Sequence, residues 1–259
     1  MGQFGTLLDH MEAAETIRNA VARVAALRQA TVSTASLHDA TRAVKSFQAK
    51  RFAGTYADLL ASPEYASAAR FFLDDLYSDR DYSLRDAQFA RIAGGLQRLF
   101  PKQVVATAVT MAQLHVLTEE MDRKMAEAWL GYPFPQDTDT VRRYLACWLL
   151  VGRESDRNLQ LEMVLQVGAE LDRLTRTPGL RMMLRMMRKP ASAAGLGSLQ
   201  NFLESGFDIF AQMSGKGQRA REFLDTIRRR ESVWIRRLSD PLSITNEADL
   251  RACVTSALS

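Results

Sequence analysis

The sequence predicts an all-α protein, an array of about ten amphipathic helices with no sheet, on three observations. Apolar residues recur at helical spacing over long stretches, as in Leu7, Met11, Ala14, Ile17, Val21, Val24 and Leu27. Only 7 prolines and 14 glycines punctuate 259 residues, too few for a turn-dense β-protein. No run of alternating β-branched residues is bounded by turn signals. Ala, Leu, Arg, Met, Gln and Glu dominate instead, the residues that lose least freedom in a helix.

The first helix is expected over 6–29, the second over 36–49 through Leu37, Val44 and Phe47, and a short turn over 56–60. Ser62-Pro63 reads as an N-cap followed by proline at the first helical position, opening a helix through Phe71-Phe-Leu-Asp-Asp-Leu-Tyr77. Ser83 and Asp86 form a capping-box-like pair for a helix over 84–99, and Pro101 starts the longest one, 102–130. Gly131-Tyr-Pro-Phe-Pro-Gln136 breaks the chain, because two prolines in four residues cannot continue a helix. Further helices are expected over 140–151, 155–174, 180–188, 198–213, 218–238 and 247–257, with Thr177-Pro178-Gly179 and Asp240-Pro241 among the breaks. The chain is expected to form one helical domain, 1–259, with a subdivision near 131–137.

Apolar residues at 47% and charged residues at 25% are a globular balance, and wholesale disorder is excluded. The longest apolar run, Tyr144-Leu-Ala-Cys-Trp-Leu-Leu-Val151, is far shorter than the roughly 20 residues that span a bilayer. The amino terminus lacks the basic and apolar regions of a secretory signal, although Met1-Gly with Thr6 has the outline of a myristoylation motif. Cys147 and Cys253 both sit in helical periodicity, which suits reduced, packed thiols and a cytoplasmic location.

The chemistry-bearing patterns are mostly incomplete. A di-iron carboxylate bundle needs Glu-x-x-His, but Leu7, Ala35 and Ala112 stand three residues before His10, His38 and His115. Asp79, Asp81 and Ser83 open like a calcium loop, yet Leu84 and Ala90 occupy the positions that need glycine and glutamate. Gly195-Leu-Gly197 meets Gln200 where a dinucleotide fingerprint needs its third glycine. Ser214-Gly-Lys-Gly217 lacks the remainder of a phosphate loop. No catalytic residue, metal ligand or cofactor is therefore assigned. His115 remains of interest because Glu119 and Asp122 follow at one and two turns, a spacing that could orient an imidazole. The bland alternative is a histidine flanking the Met111, Leu114, Met121 and Met125 stripe and bonding its own i+4 carboxylate.

Charge is distributed unevenly. Residues 180–238 carry twelve Lys/Arg against five Asp/Glu, net +7, in a chain whose formal net charge is +4. Such polarity can steer an anionic partner. Arg181, Arg185 and Arg188 share a helical face, with Met183, Leu184 and Met187 on another, a combination suited to a malleable interface. Arg228, Arg229 and Arg236 belong to a second basic stretch, which contains Trp234. The plain alternative is a solvated face with carboxylate partners elsewhere in the fold.

Two blocks carry a resemblance. Phe71-Phe-Leu-Asp-Asp-Leu-Tyr77 with Asp81, Arg85 and Asp86 comes first. Ala194-Gly-Leu-Gly-Ser-Leu-Gln-Asn-Phe-Leu-Glu-Ser-Gly-Phe207, continued by Phe223-Leu-Asp-Thr-Ile227 and Glu231, comes second. Together they resemble the hallmarks of an uncharacterised proteobacterial family of all-helical proteins, over 56–231, with Ser78 where that family carries a turn glycine. The resemblance implies a single helical unit and transfers no functional residue.

The function expected from the sequence is a non-enzymatic interaction or regulatory protein, engaging a protein partner or a second copy of itself through the Met/Arg helix. The exposure of Arg181, Arg185 and Arg188 above a buried Leu184 is its structural corollary. An enzyme or small-ligand binder with an interhelical pocket near His115, Glu119 and Tyr77 is the alternative. A nucleic-acid or anionic-surface binder acting through the basic C-terminal half is the third reading.

Overall fold

The computed structural model describes residues 2–73, 83–99, 101–135, 138–214, 218–242 and 246–256, with side chains from residue 12 onward except at 94–99, 214 and 246. Among them the regular structure is helical and contains no strand. The helices are α1 (Gly2–Val32), α2 (Ala35–Thr55), α3 (Ala57–Ala61), α4 (Ala66–Phe71), α5 (Ser83–Leu99), α6 (Lys102–Gly131) and α7 (Thr140–Val151). They continue as α8 (Glu154–Thr175), α9 (Leu180–Met186), α10 (Arg188–Ala193), α11 (Gly197–Ser214), α12 (Arg219–Ser239) and α13 (Asn246–Ser256).

Two differences from the expected boundaries have local causes. Ser62 does not open a helix directly: its Oγ accepts from the Glu64 amide at 3.2 Å, holding a turn, and α4 begins at Ala66. The expected 180–188 helix divides at Met187, whose ψ of −11° flattens the turn, and α10 takes over. Pro190 falls in the first turn of α10, where its missing N–H leaves no helical bond unmade. The Asp79–Ser83 loop lies mostly outside the described residues, as does Tyr77.

The residues cluster into two compact units, each assembled from three separated segments. The first comprises Met1–Ala26, Asp81–Leu117 and Met163–Glu222. Its alanine-rich core joins Ala14, Ile17 and Ala20 of α1 with Ala93 of α5 and Val105, Ala108 and Ala112 of α6. A second cluster joins Leu174, Leu180, Leu184 and Phe207. Gly179 (φ 79°) and Gly195 (φ 68°) take the left-handed conformation at the entries to α9 and to the turn before α11, where any other residue would be strained.

The second unit comprises Leu27–Arg80, Thr118–Glu162 and Phe223–Ser259. Its core gathers Leu37, Val44 and Phe47 of α2, Met125 and Trp129 of α6, Tyr144, Cys147 and Trp148 of α7, Leu238 of α12 and Leu250 of α13. Phe47 and Tyr144 stack with centroids 4.2 Å apart. Cys147 is fully buried, and that burial pushes its thiol up to about 11, so it packs as a small apolar group. The Pro133–Pro135 break lies within this unit's second segment and delivers the chain to Asp139. The Asp139 carboxylate caps α7 by accepting from Val141 N at 2.9 Å and Arg142 N at 3.2 Å. Asp139→Ala is expected to cost about 1 kcal/mol in urea unfolding, while Asp139→Asn, which keeps an acceptor oxygen, costs a fraction of that.

Candidate functional site

Charged side chains sit inside the second unit, and each is delivered by a helix whose neighbouring turns are apolar. Arg51 extends the α2 stripe of Leu37, Ala40, Val44 and Phe47, and Glu231 extends the α12 stripe of Phe223, Ile227, Ile235 and Leu238. The two meet as a bidentate pair at 3.1 and 2.8 Å, with the Tyr56 hydroxyl donating to the same carboxylate at 2.8 Å. Burial works against the Arg51 charge, but Glu231 more than offsets it, so the guanidinium is held further toward its charged form than in water.

A second group surrounds Glu119 and Asp122 of α6. Arg28 donates to Glu119 Oε1 at 2.7 Å, and Lys45 reaches both Glu119 oxygens at 3.2 Å. Lys45 also stands 3.7 Å from Asp122. Burial pushes the Asp122 carboxyl above the usual carboxylate range, partly opposed by Lys45, and Gln48 is hydrogen-bonded to it. For Lys45 the burial penalty is outweighed by Asp122 and Glu119, and its ammonium is held above its ordinary value. Burial likewise raises the Tyr144 phenol, which shares Gln48 as a hydrogen-bond partner.

Arg157 completes this group from α8. It is 5% exposed, and its guanidinium carbon lies 3.4 Å from the centroid of the Trp148 ring. Burial lowers its pKa against the pull of Tyr144 and Asp122. Its Nε and Nη2 are buried without a hydrogen-bond partner among the described residues.

In the first unit the Nδ1 of His115 faces Asp86 Oδ2 at 3.7 Å, a carboxylate supplied by α5. Asp86 is also approached by Arg85, whose guanidinium lies 4.5 Å from the Phe202 ring. Gln88, on the next turn of α5, accepts the Leu199 amide at 2.9 Å, and Arg91 donates to the Ala194 carbonyl at 2.8 Å. Arg85 of the first sequence block thus reaches Phe202 of the second, and at the start of α11 Gln88 satisfies an amide that the helix itself leaves without a partner. Glu119 is engaged by Arg28 and Lys45 in the second unit, while Tyr77 lies outside the described residues.

The arginine row of α9 and α10 is exposed at Arg181, Arg185 and Arg188, above a Leu184 that is 7% exposed. Arg181 pairs with Asp208 at 2.8 Å and Arg188 with Glu204. Arg185 and Lys189 make no ion pair among the described residues; Arg185 only adds to the positive field at Glu204. Met182 and Met186, one turn apart on the same side, are 67% and 70% exposed. In the second basic stretch Arg228 pairs with Glu162, Arg230 with Asp58 and Arg237 with Asp249. Arg229 donates to Thr226 Oγ1 at 3.4 Å, and Arg236 is exposed.

Sequence reasoning singled out Glu119 but missed Arg51, Arg157 and Glu231 as interior groups. The available signal was a charged residue in register with an apolar stripe. Among the described residues, no group of three or more His, Cys, Asp or Glu side chains is placed to hold a metal ion, and no helix is long and apolar enough to cross a membrane.

A family model described as a domain of unknown function, DUF8198, matches residues 27–242, a span that includes both sequence blocks. No curated protein and no solved structure matches the chain.

Proposed function

We propose that this chain, which belongs to the DUF8198 family, is a non-enzymatic helical interaction protein whose docking face is the exposed side of α9 and α10. The observation that carries the reading is the pair Met182 and Met186, 67% and 70% exposed on a helix anchored from behind by Leu180 and Leu184. Exposed methionines at i,i+4 spacing present a deformable apolar surface that adapts to a partner's side chains. Arg185 and Lys189 flank them without ion-pair partners among the described residues, so the complementary occupant is an acidic amphipathic helix of a partner protein.

Neutralisation of Arg228, Arg230 and Arg237 by carboxylates removes support from a nucleic-acid reading of the second basic stretch. Arg181 and Arg188 are likewise partnered, which narrows the docking face to the Met/Arg185/Lys189 side.

The test is fluorescence anisotropy with a labelled synthetic helix bearing leucines at i,i+4 spacing and glutamates beside them. Met182→Ser with Met186→Ser is expected to weaken binding about tenfold or more. Arg185→Glu with Lys189→Glu should do the same, and wild-type affinity should fall between about 0.05 and about 0.3 M salt. All four side chains are at the surface, so thermal stability should be unchanged. Affinity indifferent to both double substitutions would sink the proposal.

A further inference from the structure

The methionines of this chain divide sharply by exposure. Met121, Met125 and Met213 are buried, and Met111, Met163, Met183 and Met187 are half-buried. Among the residues whose side chains are described, only Met182 and Met186 present most of their surface to solvent. The contrast occurs within a single helix. Met183 packs against the cluster of Leu174, Leu180, Leu184 and Phe207, whereas Met182 beside it and Met186 one turn on lie on the solvent side.

A thioether is oxidised at its sulfur, and exposure of that atom sets how readily the oxidant reaches it. With hydrogen peroxide the sulfur lone pair attacks one peroxide oxygen, and the O–O bond breaks as the S–O bond forms. The departing hydroxide takes the proton of the transferred oxygen and leaves as water. Sulfur gives up two electrons and the peroxide accepts them. The product, methionine sulfoxide, is polar and chiral and is returned to methionine by dedicated reductases.

We propose that Met182 and Met186 are a peroxide-modification site, and that their conversion to sulfoxides turns off docking at the α9 face. The proposal rests on the docking reading above and supplies its regulation. Two effects act on the face together. The deformable apolar pair becomes two dipolar groups, and burying those beneath a partner's leucines costs free energy where burying thioethers releases it. The Met182 sulfoxide oxygen is also a new acceptor one turn from Arg185, at i,i+3, and competes with the partner's glutamates for that cation. The fold is spared, because Leu180 and Leu184 hold α9 to its unit from the other side. Docking and oxidation exclude one another, since a partner helix that covers the two sulfurs shields them from peroxide.

The experiment treats the full chain with graded hydrogen peroxide and maps each methionine by peptide mass spectrometry. Affinity for the labelled Leu/Glu helix is read by fluorescence anisotropy before oxidation, after it, and after treatment with sulfoxide reductases for both epimers. Met182 and Met186 are expected to oxidise about tenfold or more faster than Met121, Met125 and Met213. Binding should weaken about tenfold or more with the melting temperature unchanged, and should return on reduction. Excess acidic helix should slow oxidation at both positions. Met182→Leu with Met186→Leu, which keeps an apolar pair without sulfur, should bind equally before and after peroxide. Uniform oxidation rates, undiminished affinity in the chain oxidised at both positions, or a loss of binding that persists in the leucine variant each overturn the proposal. A fall in melting temperature that accompanies the lost binding overturns it too, by placing the damage in the core. An unoxidised chain that does not bind the helix overturns the docking reading and the switch with it, a failure seen before any peroxide is added.

Discussion

Gly54→Ala is expected to destabilise the protein by more than the ~1–3 kcal/mol usual for an overpacked core. A Cβ built on Gly54 would lie 1.8 Å from the carbonyl oxygen of Cys253 and 2.9 Å from Ser256 Oγ. The first of these is backbone, so no rotamer change relieves it and α13 must move away from α2. Moving it breaks what the close approach creates: the Cys253 thiol donates to the Arg51 carbonyl at 3.1 Å, and Thr55 Oγ1 lies 3.3 Å from the same sulfur. It also disturbs Leu250, which α13 buries completely in the unit's core. Alanine's better helix propensity returns only about 1 kcal/mol, which leaves the sign of the effect unchanged. Gly131→Ala is the control, since nothing lies within 4 Å of a Cβ there, and it should be neutral or slightly stabilising. Urea midpoints for the two variants check the contrast. Reaction of Cys253 with an aromatic disulfide reagent should be faster in Gly54→Ala alone; equal rates in both would show that α13 had not been displaced.

The helices were legible because their signals are local. The α7 range, Thr140–Val151, follows from the proline break before it and the Gly152 break after it. The division of 180–188 into α9 and α10 was not legible, because Pro190 is tolerated in a first turn as well as at a helix's end. The glycine that matters most for packing, Gly54, sits in an unremarkable stretch of α2, and its role depends on a backbone about 200 residues later in the chain. The exposure of the arginine row above Leu184 was readable from periodicity, whereas its neutralisation by Glu204 and Asp208 depends on how α11 folds back beside α9. His115 shows the same limit: spacing could not point to Asp86, which the tertiary fold brings to its ring from another helix. Arg51 and Glu231 were legible in principle, each being the charged residue on an otherwise apolar stripe. That reading requires treating a charge in the stripe as a partner sought elsewhere in the fold, rather than as the stripe's end.

The Arg51–Glu231 pair should show the second large effect, and its sign under double substitution is the informative part. Arg51 is 5% exposed, lies 4.2 Å over the Phe52 ring, and has an Nε without an acceptor among the described residues, so Glu231 is its main compensation for lost hydration. Glu231→Gln keeps the shape but leaves a buried guanidinium without its counter-charge, and is expected to cost about 3–5 kcal/mol. Arg51→Met should cost a similar amount for the mirrored reason, a carboxylate left with the Tyr56 hydroxyl as its one strong donor from this cluster. The double variant Arg51→Met with Glu231→Met removes both charges and returns the stripes of α2 and α12 to apolar contact. Because desolvating two ions offsets most of their attraction, that variant should be more stable than either single one. Denaturant unfolding of the four proteins closes the cycle. Simple additivity of the two losses would mean the groups do not compensate one another, and the stripe argument for their placement would fail. Recovery to near the wild type would locate the pair's importance in specifying which faces of α2 and α12 meet, with stability supplied by the surrounding apolar residues.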